Sequence, residues 1–185
     1  MKPGTIIDSF TTSMGKEVVF RYPDQGDALQ MCNYINALSQ ERTFIRYQGE
    51  RIELDDEVKF LQNTLANILE NREVYIMAFH NNTLIGSSQI SLKDRTERHI
   101  GVFGISIAKE YRNEGIGKKL MQRVLLEAES NLPDLEIVTL GVFGDNILGY
   151  EIYQKAGFAE FGRLPNGSIH NGKKVDHIEM YKAIR

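Results

Sequence analysis

The stretch Arg112-Asn113-Glu114-Gly115-Ile116-Gly117 has the residue types and spacing to do chemistry. Before it, Val102 to Ala108 is apolar and β-branched, as in a buried strand; after it, Ile116, Leu120, Val124, Leu125 and Ala128 recur on one helical face. Two glycines at a helix start let the backbone approach a ligand. The unpaired N–H groups of the first turn, at the positive end of the helix dipole, suit phosphate. Lys118 and Lys119 add positive charge beside them. The dipole alone contributes only ~0.3–1 kcal/mol at an exposed site, so amides and lysines must act together to hold a pyrophosphate.

Three other readings compete. A P-loop needs glycine where Arg112 stands and a Ser or Thr where Lys119 stands, to supply the magnesium ligand. A dinucleotide-binding turn places its third glycine at Leu120 and an acid at the end of the next strand, whereas Glu136 opens that strand. The third is a glycine turn that merely starts a helix.

The order Ile105-Ser106-Ile107, then Arg-x-x-Gly-x-Gly, resembles the acetyl-CoA-binding motif of the GNAT N-acetyltransferase superfamily. Downstream, Asn146, Tyr153, Gly157 and Phe158 stand as N-x6-Y-x3-GF, similar to that family's second block, and the resemblance covers roughly Val18 to Ala183. It implies a mixed α/β fold: a central, mostly antiparallel sheet of about seven strands flanked by four helices. The sheet is expected to splay between the cofactor strand, about 100–108, and the next strand, about 135–142. Cofactor contacts are implied for Ile105, Ser106, Ile107, Arg112, Asn113, Glu114, Gly115, Ile116, Gly117, Lys118, Asn146 and Tyr153. Acetyl-CoA is the implied co-substrate and an amine the acceptor. Members often pair as homodimers.

Length and composition agree with an ordinary globular chain. Its 185 residues fit one domain, read as 17–185 after a tail or edge strand at 1–16. A formal net charge of -3 gives no electrostatic case for nucleic acid. The single cysteine, Cys32, falls among apolar positions of a helix and reads as a small buried thiol. Neither a signal-peptide pattern nor a membrane-length apolar run occurs, so a cytoplasmic protein with no membrane partner is expected. His80, His99, His170 and His177 have no metal-ligand spacing, and His177 and Asp176 read as surface or turn-supporting side chains.

The remaining elements follow from periodicity. Val18–Tyr22 reads as a strand ended by Pro23; Ala28 to Leu38 as a helix; Gln40–Glu53 as a substrate-facing loop; and Leu54 to Ile68 as a second helix with three acids in its first turn. Val74–Phe79 and Leu84–Leu92 are strands, Leu135–Val142 another, and a helix starts near Asp145 or Asn146. Phe158–Leu164 and Lys173–Lys182 close the chain, with Pro165 to Ser168 as a connection between them and a turn at Asn171-Gly172.

Amide formation from a thioester needs a neutral amine, donors for the oxyanion and a proton for the thiolate. The resemblance places backbone N–H groups of the cofactor strand at the carbonyl and Tyr153 at the sulfur. A phenol with pKa about 10 stays protonated and can donate to a thiolate of pKa about 8.5. The alternative is that Tyr153 is a core aromatic; Asn146 is a helix cap, a cofactor partner, or both. Many relatives carry a glutamate on the cofactor strand, but Ile100 to Ala108 holds no acid; His99 just precedes it and Glu97 lies in the turn, and the sequence assigns the base to neither, a lone histidine at a strand end being more often structural. A non-catalytic acyl-CoA-binding module therefore stays open. Deprotonating a lysine-like amine at pH 7 costs about 4.6 kcal/mol against about 1.1 kcal/mol for an α-amine, so a site without a strong base favours an α-amine or a water chain.

Overall fold

The computed structural model describes residues 1–185. One eight-stranded sheet runs through the molecule in the order β1 (Ile6–Thr11), β2 (Glu17–Arg21), β3 (Glu73–His80), β4 (Thr83–Leu92), β5 (Ile100–Ile107), β6 (Ile137–Phe143), β8 (Lys173–Ala183), β7 (Ala159–His170). The helices are α1 (Ala28–Glu41), α2 (Leu54–Leu69), α3 (Ile116–Asn131) and α4 (Ile147–Lys155). About seven strands were expected; the eighth is β1, an edge strand paired with β2 from Ile6 to Thr11.

Alternation of side chains assigns the two faces. On one, Val74, Ile76, Ala78, Ile90, Phe103, Val138, Leu140, Val142, Ile178 and Met180 meet Leu120, Val124 and Ala128 of α3, with Tyr150 and Tyr153 of α4 at the border. On the other, Tyr75, Met77 and Phe79 of β3 meet Met31, Tyr34 and Leu38 of α1 and Leu61, Leu65 and Ile68 of α2. Every residue of β3 from Glu73 to Phe79 is buried, as a strand covered on both faces must be. Cys32 is buried in α1. On the α1–α2 face the helices stop at the middle of the sheet, leaving Val102, Phe161, Leu164 and Tyr181 exposed.

All pairings are antiparallel except β5 with β6. That pair holds only at Ile100–Ile137, Gly101–Val138 and Val102–Thr139. Beyond Val102 the strands part, at the expected place.

Pro165 to Ser168 is not a connection between strands. β7 runs through it with a register shift between Leu164 and Ser168. Pro165 has no N–H for the ladder, so the strand bulges, with Asn166 at φ 56 and its N–H on Asp176 Oδ1 at 3.2 Å.

Leu120 of α3 is fully buried between helix and sheet. Leu120→Ala should lower stability by about 2–5 kcal/mol, read as a lower urea midpoint at unchanged slope.

Candidate active site

The parting of β5 from β6 exposes main chain in a specified direction. Ala108 N–H donates to Ile85 O at 2.8 Å and Lys93 N–H to Ile100 O at 2.9 Å, so even-numbered residues of β5 bond to β4. Odd-numbered residues point the other way, and His99 O accepts Ile137 N–H at 3.2 Å where the strands are still together. Past Val102 the main-chain groups of Ile105 and Ile107 therefore face the gap, and the Ile107 carbonyl is taken by Arg112 Nε at 2.9 Å. Ser106, expected at the cofactor with them, is turned away: its main chain faces β4 and its hydroxyl bonds Tyr34 Oη at 2.9 Å.

At the end of β5 the chain turns through a 3-10 segment, Lys109–Tyr111, into the glycine loop. Asn113 takes φ 64 and Gly115 φ 79, a left-handed conformation that glycine adopts without strain. The N–H groups of Asn113, Glu114, Gly115, Ile116, Gly117 and Lys118 meet no acceptor in the protein; the first bond of α3 is Lys119 N–H to Gly115 O at 3.1 Å. A Cβ at Gly115 would meet nothing within 4 Å, and one at Gly117 only Ile107 Cγ1 at 3.5 Å. The fold thus leaves room for a side chain at Gly117, and its absence keeps a cradle of donors open that fits a pyrophosphate. Lys118 is exposed at its edge, while Lys119 lies over the Phe10 ring at 4.4 Å.

The side chains of Arg112 and Glu114, both residues expected at the cofactor, brace the loop in this structure, while the Glu114 N–H stays in the cradle. The Arg112 guanidinium forks onto both carboxylate oxygens of Glu41, tying the loop to the end of α1. Glu114 is buried; it accepts Thr12 Oγ at 2.9 Å and an ion pair from Lys16, whose ammonium also reaches Glu110 O at 3.2 Å. The Lys16 ammonium holds the Glu114 carboxyl below the usual carboxylate range. A negative charge in the loop is thereby drawn behind it and neutralised. Thr12, Lys16 and Glu41 carried no sign of this in the sequence, since they lie far along the chain from their partners.

On the α3 face, Tyr153 stands edge-on to Phe103 at 6.0 Å and to Phe158 at 6.1 Å between ring centroids. The residue is half-buried, its hydroxyl makes no hydrogen bond within the protein, and desolvation pushes its pKa up to about 12. Asn146 caps α4, its Oδ1 accepting Gly149 N–H at 3.0 Å. His99 lies at the end where β5 and β6 are paired, its carbonyl accepting Glu136 and Ile137 N–H, away from the open part of the gap. It is not placed to act as the base.

A splayed sheet with free amides at a helix start beside the gap defines a protein built to bind an extended, phosphate-bearing ligand. Residues 34–158 match the acetyltransferase (GNAT) family, and the chain belongs to that family. It is thus an acyltransferase, with acetyl-CoA as its co-substrate. The chain is 30% identical over 101 residues to an L-amino acid N-acetyltransferase of Escherichia coli, a match spanning 54% of this chain and 62% of that protein. It is 26% identical over 170 residues to spermidine N(1)-acetyltransferase of Vibrio cholerae, covering 91% and 94%. An acetyltransferase of the GNAT family from Streptococcus pneumoniae superposes with a TM-score of 0.82 at 26% identity, over 91% of this chain and 99% of that one. Further structures of the same fold hold acetyl-CoA or coenzyme A.

The latch on the loop is testable through pH. Pairing lowers the Glu114 pKa from its ordinary 4.5, so its contribution to stability is full above that value and fades as pH falls through the lowered one. In Lys16→Met this acid-side loss, followed by urea midpoints from pH 7 to 3, should shrink, and acetyl-CoA should bind severalfold more weakly.

Proposed function

We propose that this enzyme moves the acetyl group of acetyl-CoA directly to the primary amine of a small molecule or chain terminus, with an α-amine the favoured class. The observation that carries the reading is the parted strand. β5 parts from β6 past Val102, so the main-chain groups of Ile105 and Ile107 face the gap, and the same strand leads through a short turn into the loop whose amides from Asn113 to Lys118 are free, with Tyr153 on the α3 side of the sheet.

The amides of Asn113, Glu114, Gly115, Ile116, Gly117 and Lys118 would hold the pyrophosphate. The pantetheine arm would lie in the gap against Ile105 and Ile107, where an N–H from the strand can bond the thioester oxygen as it gains charge. Bound acetyl-CoA supplies the activated acyl group; the protein supplies orientation, oxyanion donors and a proton. Tyr153 keeps its proton throughout the physiological range; burial raises its pKa and makes it a weaker acid, so its hydroxyl would hydrogen-bond the sulfur as charge develops there and give up the proton only as the C–S bond breaks. Asn146 acts through α4 by capping the helix that carries Tyr153.

The α-amine preference rests on the smaller cost of neutralising such an amine at pH 7, about 1.1 kcal/mol, and fits a relative named for L-amino acids. We further place the enzyme in the cytoplasm as a homodimer, with residues 17–185 as one domain and β1 as its added edge. The exposed Phe161, Leu164 and Tyr181 at the β7 edge support a second copy there, and the single, buried Cys32 supports a reducing compartment. No helix is long and apolar enough to cross a membrane.

Calorimetric titration with acetyl-CoA, CoA and NADH, followed by thiol release with an amine panel, tests the reading. Acetyl-CoA binding with release on one amine class is expected; binding without release would favour a non-catalytic module, and preference for NADH would overturn it. Tyr153→Phe should slow turnover by about 100-fold with acetyl-CoA affinity held. Gly117→Leu should abolish cofactor binding while the protein stays folded, since the added side chain meets space rather than protein.

A further inference from the structure

The opening between β5 and β6 is bridged at its far end by residues 41–44. Glu41, the last residue of α1, takes the fork of Arg112, whose Nε holds the carbonyl of Ile107 at the end of β5. Arg42 then turns the chain through φ 53, its N–H on Ser39 O at 2.9 Å. Phe44 packs on Phe143, the last residue of β6, at 6.1 Å between ring centroids. The segment is thus a strap that reaches from the end of one parted strand to the end of the other. Val138, Leu140 and Val142 are buried under α3, so by alternation Phe143 and the strap lie on the opposite face, which α1 and α2 leave partly uncovered.

His170, at the tip of the β7–β8 hairpin, makes a second fastening. It is buried against Phe44 at 4.4 Å and Phe143 at 5.5 Å between ring centroids. Its Nδ1 lies 2.6 Å from Asp145 Oδ2, in the turn between β6 and α4. A carboxylate only accepts, so Nδ1 carries a hydrogen whether the ring is neutral or charged. Nε2 has two partners that make opposite demands. The Arg42 carbonyl, at 3.1 Å, needs a hydrogen on Nε2, whereas the Asn171 amide nitrogen, also at 3.1 Å, donates and needs the lone pair. One ring nitrogen cannot serve both. The imidazolium bonds the strap; the neutral ring drops it and bonds its own hairpin turn. Asp145 balances the charged form, Phe44 lies within cation–π range, and the bond steadies Arg42 in its left-handed conformation. The other charged groups around the ring stand apart from it. The Arg42 guanidinium lies toward Gly49, its Nε 3.4 Å from where a Cβ would stand there, and Lys173, opposite His170 in the hairpin register, is exposed. His177, further down the hairpin, is engaged with Ser168 and Glu179.

We propose that His170 is a charge-operated clasp: as imidazolium it fastens the strap across the end of the gap and holds the wall against which the acceptor binds, and on losing its proton it lets the strap go. It is a positioning residue, acting through residues 41–44. The other face of the gap carries α3 with the Phe103 and Tyr153 rings, so the strap borders the face that is free. Histidine is the side chain that changes charge near neutral pH, so acceptor binding weakens as pH rises through that change. The clasp stands on its own contacts; its effect on the acceptor rests on the acetyl-transfer reading.

The test compares wild type with His170→Gln, Asp145→Asn and Asn171→Gly between pH 5 and 9. The Ile45 and Gly49 amides bond Thr43 O at 2.8 Å and Ser39 Oγ at 3.2 Å, and their hydrogen exchange is read as protection relative to an unstructured peptide at each pH. In wild type that protection should fall about tenfold as pH rises, for the loss of one charge-assisted bond. The step should vanish in His170→Gln. It should move to lower pH in Asp145→Asn, which no longer balances the charge. In Asn171→Gly it should move to higher pH, because the donor that favours the neutral ring is gone, and glycine suits φ 50. Acceptor KM, from thiol release with an L-amino acid at saturating acetyl-CoA, should stand about tenfold above wild type in His170→Gln at pH 6 and equal it at pH 9. Titration of the amine cancels in that ratio. If His170→Gln does not fold, the opposite shifts of the other two variants carry the test. Protection without a pH step, or a step that the variants leave in place, would overturn the clasp. A KM ratio constant with pH beside an intact exchange step would overturn control of the acceptor and leave acetyl transfer standing. Wild-type protein that releases no thiol with any amine would overturn acetyl transfer, while the exchange step still decides the clasp.

Discussion

Two parallel strands that pair for three residues and then part set the conditions for everything else in this molecule. A buried main-chain group without a partner costs about 1–3 kcal/mol, so a sheet opens in its middle only where other forces hold it open. On the α3 side, the Tyr153 ring packs edge-on against Phe103 and Phe158, which are tilted against each other. At the far end of β5, Arg112 takes the Ile107 carbonyl and anchors itself on Glu41 of α1, so the strand cannot drift back toward β6. The backbone groups left over are those a cofactor arm can use.

Charge is arranged around the opening on the same principle. The glycine loop contains an acid, Glu114, that would oppose an anionic ligand if it faced the cradle. It is pinned by Thr12 and Lys16, so the β1–β2 hairpin at the edge of the sheet braces the loop through contacts of its own. Across the sheet, the α1 and α2 helices stop short of β6 and β8, leaving His177 and Glu179 on an accessible face. The gap is thus flanked by the α3 core, with Tyr153, on one face of the sheet and by an uncovered surface on the other.

The strand, loop and helix from Val102 to Ala128 were legible because their period changes abruptly from that of a strand to that of a helix, with two glycines at the switch. The splay was legible only through the family resemblance, since periodicity marks the two apolar strands but cannot tell a paired strand from a parted one. Side-chain roles inside the loop were less so. Arg112 and Glu114 meet Glu41, Lys16 and Thr12 across 71 to 102 residues of sequence, a relation without local signature. Ser106 sits in the right strand but on the wrong phase of the pleat, turned to Tyr34 instead of the gap. Pro165 read as the end of a strand because proline usually is one, whereas here a bulge supported by Asp176 absorbs it.

The central claim is that the parted strand and the helix start are the cofactor's main-chain partners. Amide hydrogen exchange, read residue by residue with and without acetyl-CoA, tests it most directly. The amides of Ile105, Ile107 and Asn113 to Lys118 meet no protein acceptor past the paired part of β5 and should exchange rapidly in the free protein and slow sharply on saturation. Unchanged exchange at those amides, with protection appearing elsewhere, would contradict the account.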